Sequence, residues 1–283
     1  MLIILISVPS AVLGLFLLYL WAIHPDNSHL DECLNFTKWD FAHRGLWNLA
    51  EGIPENSLPA FRRAVEQGFA IELDVHLTKD GELVVFHDDT LTRMCRRNGT
   101  IESTTMDQLS ACRLLDTGCH IPRLSEVLTL VNGQVPLLIE LKLPTSDLSL
   151  CRRLKEELST YRGRYLIESF NPLGLRWYRR HCPSVLRGQL AARYEPTRGL
   201  DALLKFLSTA LLVNGISRPH FIAYNYRHAT GLGFRLNQKL FHIPVFAWTI
   251  RSQEVYIDCK NRFSAAIFES FLPDTLKIRK RTS

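Results

Sequence analysis

Short apolar runs alternate with amphipathic stretches along this chain from about residue 40 onward. Apolar runs that are bounded by turn residues and rich in Val, Ile and Phe favour buried strands. The stretches between most of them repeat with the period of a helix. Alternating strands and helices predict an α/β fold with parallel strands, closed into a (β/α)8 barrel whose catalytic groups lie at the C-terminal strand ends. The predicted strands lie near residues 40–43, 70–75, 82–87, 137–141, 165–169, 185–190, 221–224, 244–249 and 265–269. The predicted helices lie near residues 58–67, 125–130, 148–159, 172–181, 200–212, 230–240 and 252–261.

One connection departs from the alternation. Only Lys79-Asp80-Gly81-Glu82 separates the second predicted strand from the third. Asp-Gly between apolar strands is a strong signal for a two-residue hairpin. Pairing Lys79 with Glu82 places Asp74 directly opposite His87 and on the same face as Glu72. Counting the hairpin as one insertion leaves eight parallel strands from the nine runs.

The N-terminal residues form a separate feature, because residues 2–23 carry no charged side chain. At about 1.5 Å per residue, such a helix spans a hydrocarbon core of roughly 30 Å. We therefore expect one uncleaved transmembrane helix at residues 1–23, followed by a linker at residues 24–38. A signal peptide and a buried core helix are the alternatives. The predicted localisation is the membrane.

The side of the membrane stays open, because two signals conflict. The charges that flank the apolar run lean weakly towards an outward-facing domain under the positive-inside rule. The seven cysteines are scattered and form no CxxC pair, which favours a reducing compartment and gives no zinc signature. The sequence therefore predicts membrane attachment without an orientation.

Composition narrows the class of protein. The chain is 46% hydrophobic and 22% charged, which is typical of a globular domain. The net charge of +6 comes without a basic stripe interleaved with aromatic residues, so we predict no nucleic-acid-binding module. Part of the excess lies in a basic tail at residues 277–283, which is either a solvated terminus or a segment attracted to anionic lipid.

Two histidines and three carboxylates interrupt the apolar runs or directly follow them: His43, His87, Glu72, Asp74 and Glu140. Charge in a buried strand is costly unless it is paired or bound to a metal. Two imidazoles can serve as base and acid near neutral pH. Three carboxylates that face one point repel one another unless a cation lies among them, and oxygen ligands suit Mg²⁺ or Ca²⁺ rather than zinc. The residues therefore predict a divalent metal site beside a pair of acid–base histidines.

Each of these groups could instead have a purely structural role. The histidines could be satisfied core residues, and the carboxylates could form a structural network with Arg44 and Lys142. Asn56 or Ser57 fits the N-cap of the helix that starts near residue 58. Glu55 beside them is a candidate for supporting the metal or an imidazole from outside the ligand set.

Two further residues are candidates for substrate contacts. Lys142 follows Glu140 by two, so both side chains point to the same side of a strand. Trp248 on the eighth strand either lines a leaving-group pocket or is a core aromatic.

Six short motifs occur in order along the chain: Ala42-His43-Arg44-Gly45, Pro54-Glu55-Asn56-Ser57, Ile71-Glu72-Leu73-Asp74-Val75, Leu77-Thr78-Lys79-Asp80-Gly81, Val84-Val85-Phe86-His87-Asp88 and Ile139-Glu140-Leu141-Lys142. Together they resemble the glycerophosphodiester phosphodiesterase family, whose barrel is like that of phosphatidylinositol phospholipase C. Ser169-Phe170 and Ala247-Trp248-Thr249 resemble its C-terminal half. The resemblance covers roughly residues 39–276.

The resemblance implies a distorted (β/α)8 barrel, with a small insertion at about residues 88–120, that hydrolyses glycerophosphodiesters to sn-glycerol 3-phosphate and an alcohol. It implies His43 and His87 as the catalytic pair. It implies a divalent cation, Mg²⁺ or Ca²⁺, on Glu72, Asp74 and Glu140, with the phosphate contacting Arg44 and Lys142. The closing segment at residues 269–273 departs from the family pattern, so we expect an altered pocket rim.

Three other functions remain alternatives at this point. The predicted anchor could present the barrel to lysophospholipids, which would make the protein a lysophospholipase D. A catalytically silent, phosphate-binding membrane scaffold and a basic nucleic-acid-binding module are less favoured. No oligomeric state follows from the sequence.

Overall fold

The computed structural model describes residues 2–192 and 199–274, with side chains described except at residues 2–8, 199–202 and 204. The helices are α1 (Leu2–Ile23), α2 (Leu30–Phe36), α3 (Leu58–Glu66), α4 (Thr92–Cys95), α5 (Met106–Ser110), α6 (Leu124–Val131), α7 (Ser149–Leu158), α8 (Pro172–His181), α9 (Gly199–Thr209), α10 (Asn214–Ser217), α11 (Leu232–Lys239) and α12 (Gln253–Arg262). The strands are β1 (Phe41–His43), β2 (Ala70–Leu77), β3 (Leu83–Val85), β4 (Leu137–Leu141), β5 (Tyr165–Ser169), β6 (Arg187–Ala191), β7 (Phe221–Asn225), β8 (Val245–Ile250) and β9 (Ala265–Phe268).

The sheet closes on itself. β1 pairs in parallel with β9 on one side and with β2 on the other, and the sheet continues in parallel through β4, β5, β6, β7 and β8 to β9. Among the strands of the described residues, β3 alone is antiparallel, and it pairs with the edge of β2. The predicted barrel of eight parallel strands with one hairpin insertion is therefore confirmed.

Inward-facing side chains divide the barrel into an apolar lower half and a polar upper half. Phe41, Leu138, Leu166 and Phe221 belong to one buried cluster at the N-terminal halves of their strands. At the next inward position, two residues further along the strand, the side chains change to charged ones, as at Glu72 on β2. Because the apolar layer fills the lower barrel, polar groups are concentrated at the C-terminal strand ends, where a barrel carries its active site.

The hairpin forms where it was predicted, but its register is shifted by one residue. Leu77 pairs with Leu83, and the Thr78 amide donates to the Glu82 carbonyl at 2.9 Å. The loop therefore has three residues instead of two, and it ends in Gly81 with φ +85°, as in loops with a bulge glycine. The prediction that Asp74 lies directly opposite His87 is wrong, because β3 ends at Val85 and His87 follows the strand.

The insertion after β3 has its own small core. It contains α4 and α5 together with 3-10 turns at Ile101–Ser103 and Leu114–Asp116. The buried residues of this core are Val84, Phe86, Leu91, Met94, Cys95, Ile101, Met106, Leu109, Cys112, Leu114 and Ile121. The insertion thus packs around a small buried core that it shares with the end of β3.

The segment predicted as a linker contains α2, which covers the N-terminal end of the barrel. Cys33 and Phe36 are buried in the lower apolar cluster. Asp26 accepts a hydrogen bond from the buried Arg187 guanidinium at 2.6 Å. The end of α1 is fixed nearby, where the Asn214 side chain donates to the Ile23 carbonyl at 3.2 Å.

Within the part of the chain that the structure describes, no helix is long and apolar enough to cross a membrane. The transmembrane anchor predicted at residues 1–23 therefore gains no support. The basic tail predicted at residues 277–283 lies outside the described residues.

Candidate active site

Three buried carboxylates converge at the C-terminal side of the barrel. Asp74 on β2 is in register with Glu140 on the neighbouring β4, and Glu72 lies two residues earlier on the same face of β2. One oxygen from each of these carboxylates lies within 4.8 Å of the other two. Strand pairing thus assembles the group that the sequence predicted as metal ligands.

The electrostatics of this cluster favour a bound cation. Burial, together with the charge of Asp74 and other carboxylates, raises the pKa of Glu72 well above its ordinary value. Burial also raises the pKa of Glu140, to about 7, although Lys142 opposes this. Both shifts reflect negative charges held together away from water, a cost that a divalent cation would relieve. The donor set of carboxylate oxygens therefore fits Mg²⁺ or Ca²⁺.

Lys142 and Arg44 bring positive charge to the same point. The Lys142 ammonium lies 2.9 Å from Asp74 Oδ1 and 2.8 Å from Glu140 Oε1. Arg44 Nε lies 3.7 Å from Asp74 Oδ2. Burial would raise the pKa of Asp74, but the positive charges of Lys142, His87 and Arg44 outweigh it and lower that pKa well below its ordinary value. Asp74 is therefore the carboxylate of the cluster that both Lys142 and Arg44 approach.

The loop after β1 is tied to these carboxylates through unusual backbone. Arg44 and Asn56 both adopt the left-handed region, with φ of +59° and +53°, which costs free energy for residues other than glycine. The Arg44 amide donates to Glu72 Oε2 at 2.8 Å, and the Asn56 side chain donates to Asp74 Oδ2 at 2.8 Å. Ser57 forms the predicted N-cap of α3.

His43 is oriented by a carboxylate from the closing strand. Its Nδ1 lies 2.5 Å from Glu269 Oε2, and because a carboxylate only accepts, Nδ1 carries the proton. Nε2 is then the nitrogen available to a reacting group. Burial lowers the pKa of His43, with Glu269 opposing the shift. Burial would raise the pKa of Glu269, but the hydrogen bond from His43 and the charge of Arg251 lower it to about 2.

His87 is held in the same way by its sequence neighbour. Its Nδ1 donates to Asp88 Oδ1 at 2.7 Å. Its side chain is 32% exposed, compared with 14% for His43. Burial lowers the pKa of His87, with Asp74 opposing the shift. Both imidazoles therefore carry a proton on Nδ1, and Nε2 is the nitrogen available to a reacting group.

Glu55 and Trp248 were also predicted to act at the site. Glu55 accepts from Arg44 Nη1 at 2.7 Å, so it contacts the candidate phosphate ligand rather than the carboxylate cluster. Trp248 lies on β8 with its ring edge-on to Phe170, at 6.0 Å between centroids. Phe170, with His87 and Lys142, lines a cavity of about 710 Å³ that opens beside the site. Glu55 thus contacts Arg44, and Trp248 contacts Phe170, which lines the cavity.

Four charged residues at the site were missed by sequence reasoning. Glu168 is buried on β5 in register with Glu140, and it satisfies the same rule of charge within an apolar run. Glu269 was noted only as a departure from the family pattern. Asp88 belonged to a quoted motif without a role. Arg93 lies in the insertion, where no periodic pattern points towards the site.

His76 on β2 lies outside this group. Its Nδ1 lies 2.6 Å from Glu102 of the insertion. The contact fastens the insertion to β2, so His76 has a structural partner.

The chain matches known proteins over most of its length. The family model described as "Glycerophosphoryl diester phosphodiesterase family" matches residues 43–267. A glycerophosphodiester phosphodiesterase of Caldanaerobacter subterraneus is 36% identical over 165 residues, which is 53% of this chain and 65% of that enzyme. This chain therefore spans just under two thirds of that relative. A putative glycerophosphodiester phosphodiesterase of Bacillus subtilis is 28% identical over 75% of this chain and 86% of its own length.

Solved structures agree in fold. A glycerophosphodiester phosphodiesterase from Parabacteroides distasonis superposes with a TM-score of 0.69 at 22% identity, covering 87% of this chain and 98% of that one. An Oleispira antarctica phosphodiesterase in complex with the product sn-glycerol-3-phosphate superposes with a TM-score of 0.66 at 22% identity, covering 86% and 96%. The resemblance noted from the six motifs is thus confirmed. This chain belongs to the glycerophosphoryl diester phosphodiesterase family.

Proposed function

We propose that this protein hydrolyses glycerophosphodiesters to sn-glycerol 3-phosphate and an alcohol, with a divalent cation and acid–base catalysis by His43 and His87. The observation that carries the proposal is the arrangement of two imidazoles around a buried carboxylate cluster. Each imidazole has its Nδ1 bound to a carboxylate. Each therefore keeps Nε2 for proton transfer. The family membership and the relatives named glycerophosphodiester phosphodiesterase support it.

The chain's own residues divide the work between binding and proton transfer. Arg44 and Lys142 neutralise the phosphodiester and orient it. One histidine takes the proton from the attacking oxygen, which belongs to a neighbouring glycerol hydroxyl or to water. The other, in its imidazolium form, gives its Nε2 proton to the departing alkoxide as the P–O bond breaks. When the glycerol hydroxyl attacks, the cyclic phosphate is opened by water in a second step.

The divalent cation would be held by Glu72, Asp74 and Glu140, where it would polarise a phosphate oxygen as a Lewis acid. Oxygen ligands fit both Mg²⁺ and Ca²⁺. The product named in the Oleispira structure, sn-glycerol-3-phosphate, supports the glycerol side of the substrate.

The test is hydrolysis of glycerophosphocholine and glycerophosphoethanolamine by the full chain with Mg²⁺, Ca²⁺ or EDTA. We expect metal-dependent release of sn-glycerol 3-phosphate that His43→Ala abolishes. Folded protein that binds these diesters without turnover under every metal condition would instead identify the phosphate-binding scaffold.

A lysophospholipase D that acts at a membrane is the second candidate. Exposed apolar side chains on α1, including Phe16 and Trp21, support an apolar contact there. The end of α1, however, is attached near the start of β7, at the opposite end of the barrel from the histidines. This attachment does not by itself bring the site to lipid. Adding lysophosphatidylcholine to the assay separates the candidates, and membrane fractionation of cells tests the localisation.

A further inference from the structure

Arg93 of the insertion donates four hydrogen bonds to two carboxylates at the site. Its Nε and Nη2 donate to the two oxygens of Asp88 at 2.6 and 2.8 Å. Its Nη1 and Nη2 donate to the two oxygens of Glu55 at 3.0 and 2.6 Å. One planar guanidinium therefore holds two carboxylates along two of its edges. A lysine has no such fork and could not hold both in this geometry.

The two carboxylates connect Arg93 to both halves of the proposed chemistry. Asp88 accepts from His87 Nδ1, and Glu55 accepts from Arg44 Nη1. The result is a continuous chain of charge-assisted hydrogen bonds in the order His87, Asp88, Arg93, Glu55 and Arg44. A displacement of Arg93 would therefore disturb the position of the acid–base group and of the phosphate ligand together.

The contacts of Arg93 also affect the charge of Asp88 and the ion pair between Glu55 and Arg44. Burial would raise the pKa of Asp88, but the hydrogen bonds from Arg93 and His87 lower it to about 2. Asp88 therefore stays an anion that accepts from imidazole. Without Arg93, Glu55 would have Arg44 as its remaining cation and would draw it away from a phosphate.

We propose that Arg93 is a positioning residue for the reaction, which orients His87 through Asp88 and Arg44 through Glu55. This inference rests on the proposed function. It assigns the insertion at residues 88–120 a part in catalysis, because α4 carries Arg93 to the site.

A purely structural role for Arg93 is the alternative, and the structure offers little for it. Eight buried residues of the insertion pack with Val84, Phe86 and Ile121 from its flanks, and the His76–Glu102 contact also joins the insertion to the barrel. The Arg93 side chain is 47% exposed, and ion pairs with that exposure contribute little to stability. The precise geometry is therefore better matched to orienting groups than to fastening the insertion.

The test compares Arg93→Ala and Arg93→Lys with Arg97→Ala and Arg97→Lys. Arg97 is a matched control in the same insertion, because among the described residues its side chain donates only to the Ala111 carbonyl, at 3.4 Å. For each variant we would measure kcat and KM on the best glycerophosphodiester, thermal unfolding, and binding of Mg²⁺ or Ca²⁺ by calorimetry.

We expect Arg93→Ala to lower kcat/KM about 10–100-fold, the usual effect of removing a partner that orients a catalytic group. Both kcat and KM should change, while the unfolding midpoint and metal affinity stay near those of the wild type. Arg93→Lys should recover only a small part of the loss, and the Arg97 variants should match the wild type.

Three outcomes would overturn the proposal: Arg93→Ala as active as Arg97→Ala, Arg93→Lys fully active, or a loss of activity that follows unfolding alone. If the wild type hydrolyses none of the diesters, the proposed function fails first. Calorimetric binding of sn-glycerol 3-phosphate then still tests the contact to Arg44. Weaker binding by Arg93→Ala than by Arg97→Ala would support the role of Arg93 in positioning Arg44, and equal binding would refute it.

Discussion

The two histidines occupy matching positions but are supported by different parts of the molecule. His43 on β1 contacts Glu269, which follows the adjacent β9, so its support comes from barrel closure across 226 residues of sequence. His87 contacts the next residue, Asp88. Its further support comes from Arg93 in the insertion. One imidazole is thus oriented by strand pairing and the other by a local segment that a single arginine secures.

Exposure follows the same division. The side chains of His43 and Glu269 are 14% and 8% exposed, compared with 32% and 19% for His87 and Asp88. Charge-assisted hydrogen bonds are stronger where water is excluded. We therefore expect the His43 side to be the more rigid one, and the His87 side to depend more on its arginine.

The largest effect should come from removing either imidazole. We expect His43→Ala and His87→Ala each to lower kcat about 10²–10⁴-fold, the usual contribution of a general acid or base. Circular dichroism and thermal unfolding would check that both variants fold. Near-normal turnover by either variant would show that this histidine is not a general acid or base in the reaction.

Removing the orienting carboxylates should give a smaller loss, and an unequal one. We expect Glu269→Gln to lower kcat about 10–100-fold, since loss of an orienting partner has effects of this size. Asp88→Asn should cost less, because the Asp88 side chain is 19% exposed and that of Glu269 only 8%. Steady-state kinetics at the pH optimum of the wild type would compare kcat for the two variants. A larger loss for Asp88→Asn would reverse the assignment of the rigid side.

The features of the barrel strands could largely be predicted from the sequence, whereas those of the hairpin and the insertion could not. The eight parallel strands and the convergence of Glu72, Asp74 and Glu140 follow from period-two apolar runs, because parallel strands end at one rim. The hairpin register could not be fixed, since Thr78 Oγ1 accepts from the Glu82 amide and favours a three-residue loop over a two-residue one. Glu168 was detectable by the rule that found Glu140. Arg93 was not, because its bond to Glu55 spans 38 residues and depends on how the insertion folds.

Acid should remove the stabilising contribution of Glu269. Its pKa is lowered from 4.5 to about 2 in the folded protein, so this contribution is fully present above pH 4.5 and is lost as the pH falls through about 2. The free energy of unfolding of the wild type should exceed that of Glu269→Gln by at most about 3 kcal/mol near neutral pH, and the difference should shrink in acid. Urea unfolding at pH 7, 4 and 2.5 measures it. A difference that stays constant with pH would show that the ionised carboxylate is not its source.

The smallest effect should come from the arginine on the rigid side. Arg251 Nε donates to Glu269 Oε1 at 2.6 Å, but its side chain is 57% exposed. Exposed ion pairs are usually worth less than about 1 kcal/mol, and Glu269 is already held by His43. We therefore expect Arg251→Ala to change kcat/KM by less than about fivefold, compared with the larger loss for Arg93→Ala, since 1 kcal/mol corresponds to a factor of about five. Parallel kinetics of the two variants would decide. Equal losses would mean that both imidazoles depend on an arginine to the same degree, and that barrel closure alone does not orient His43.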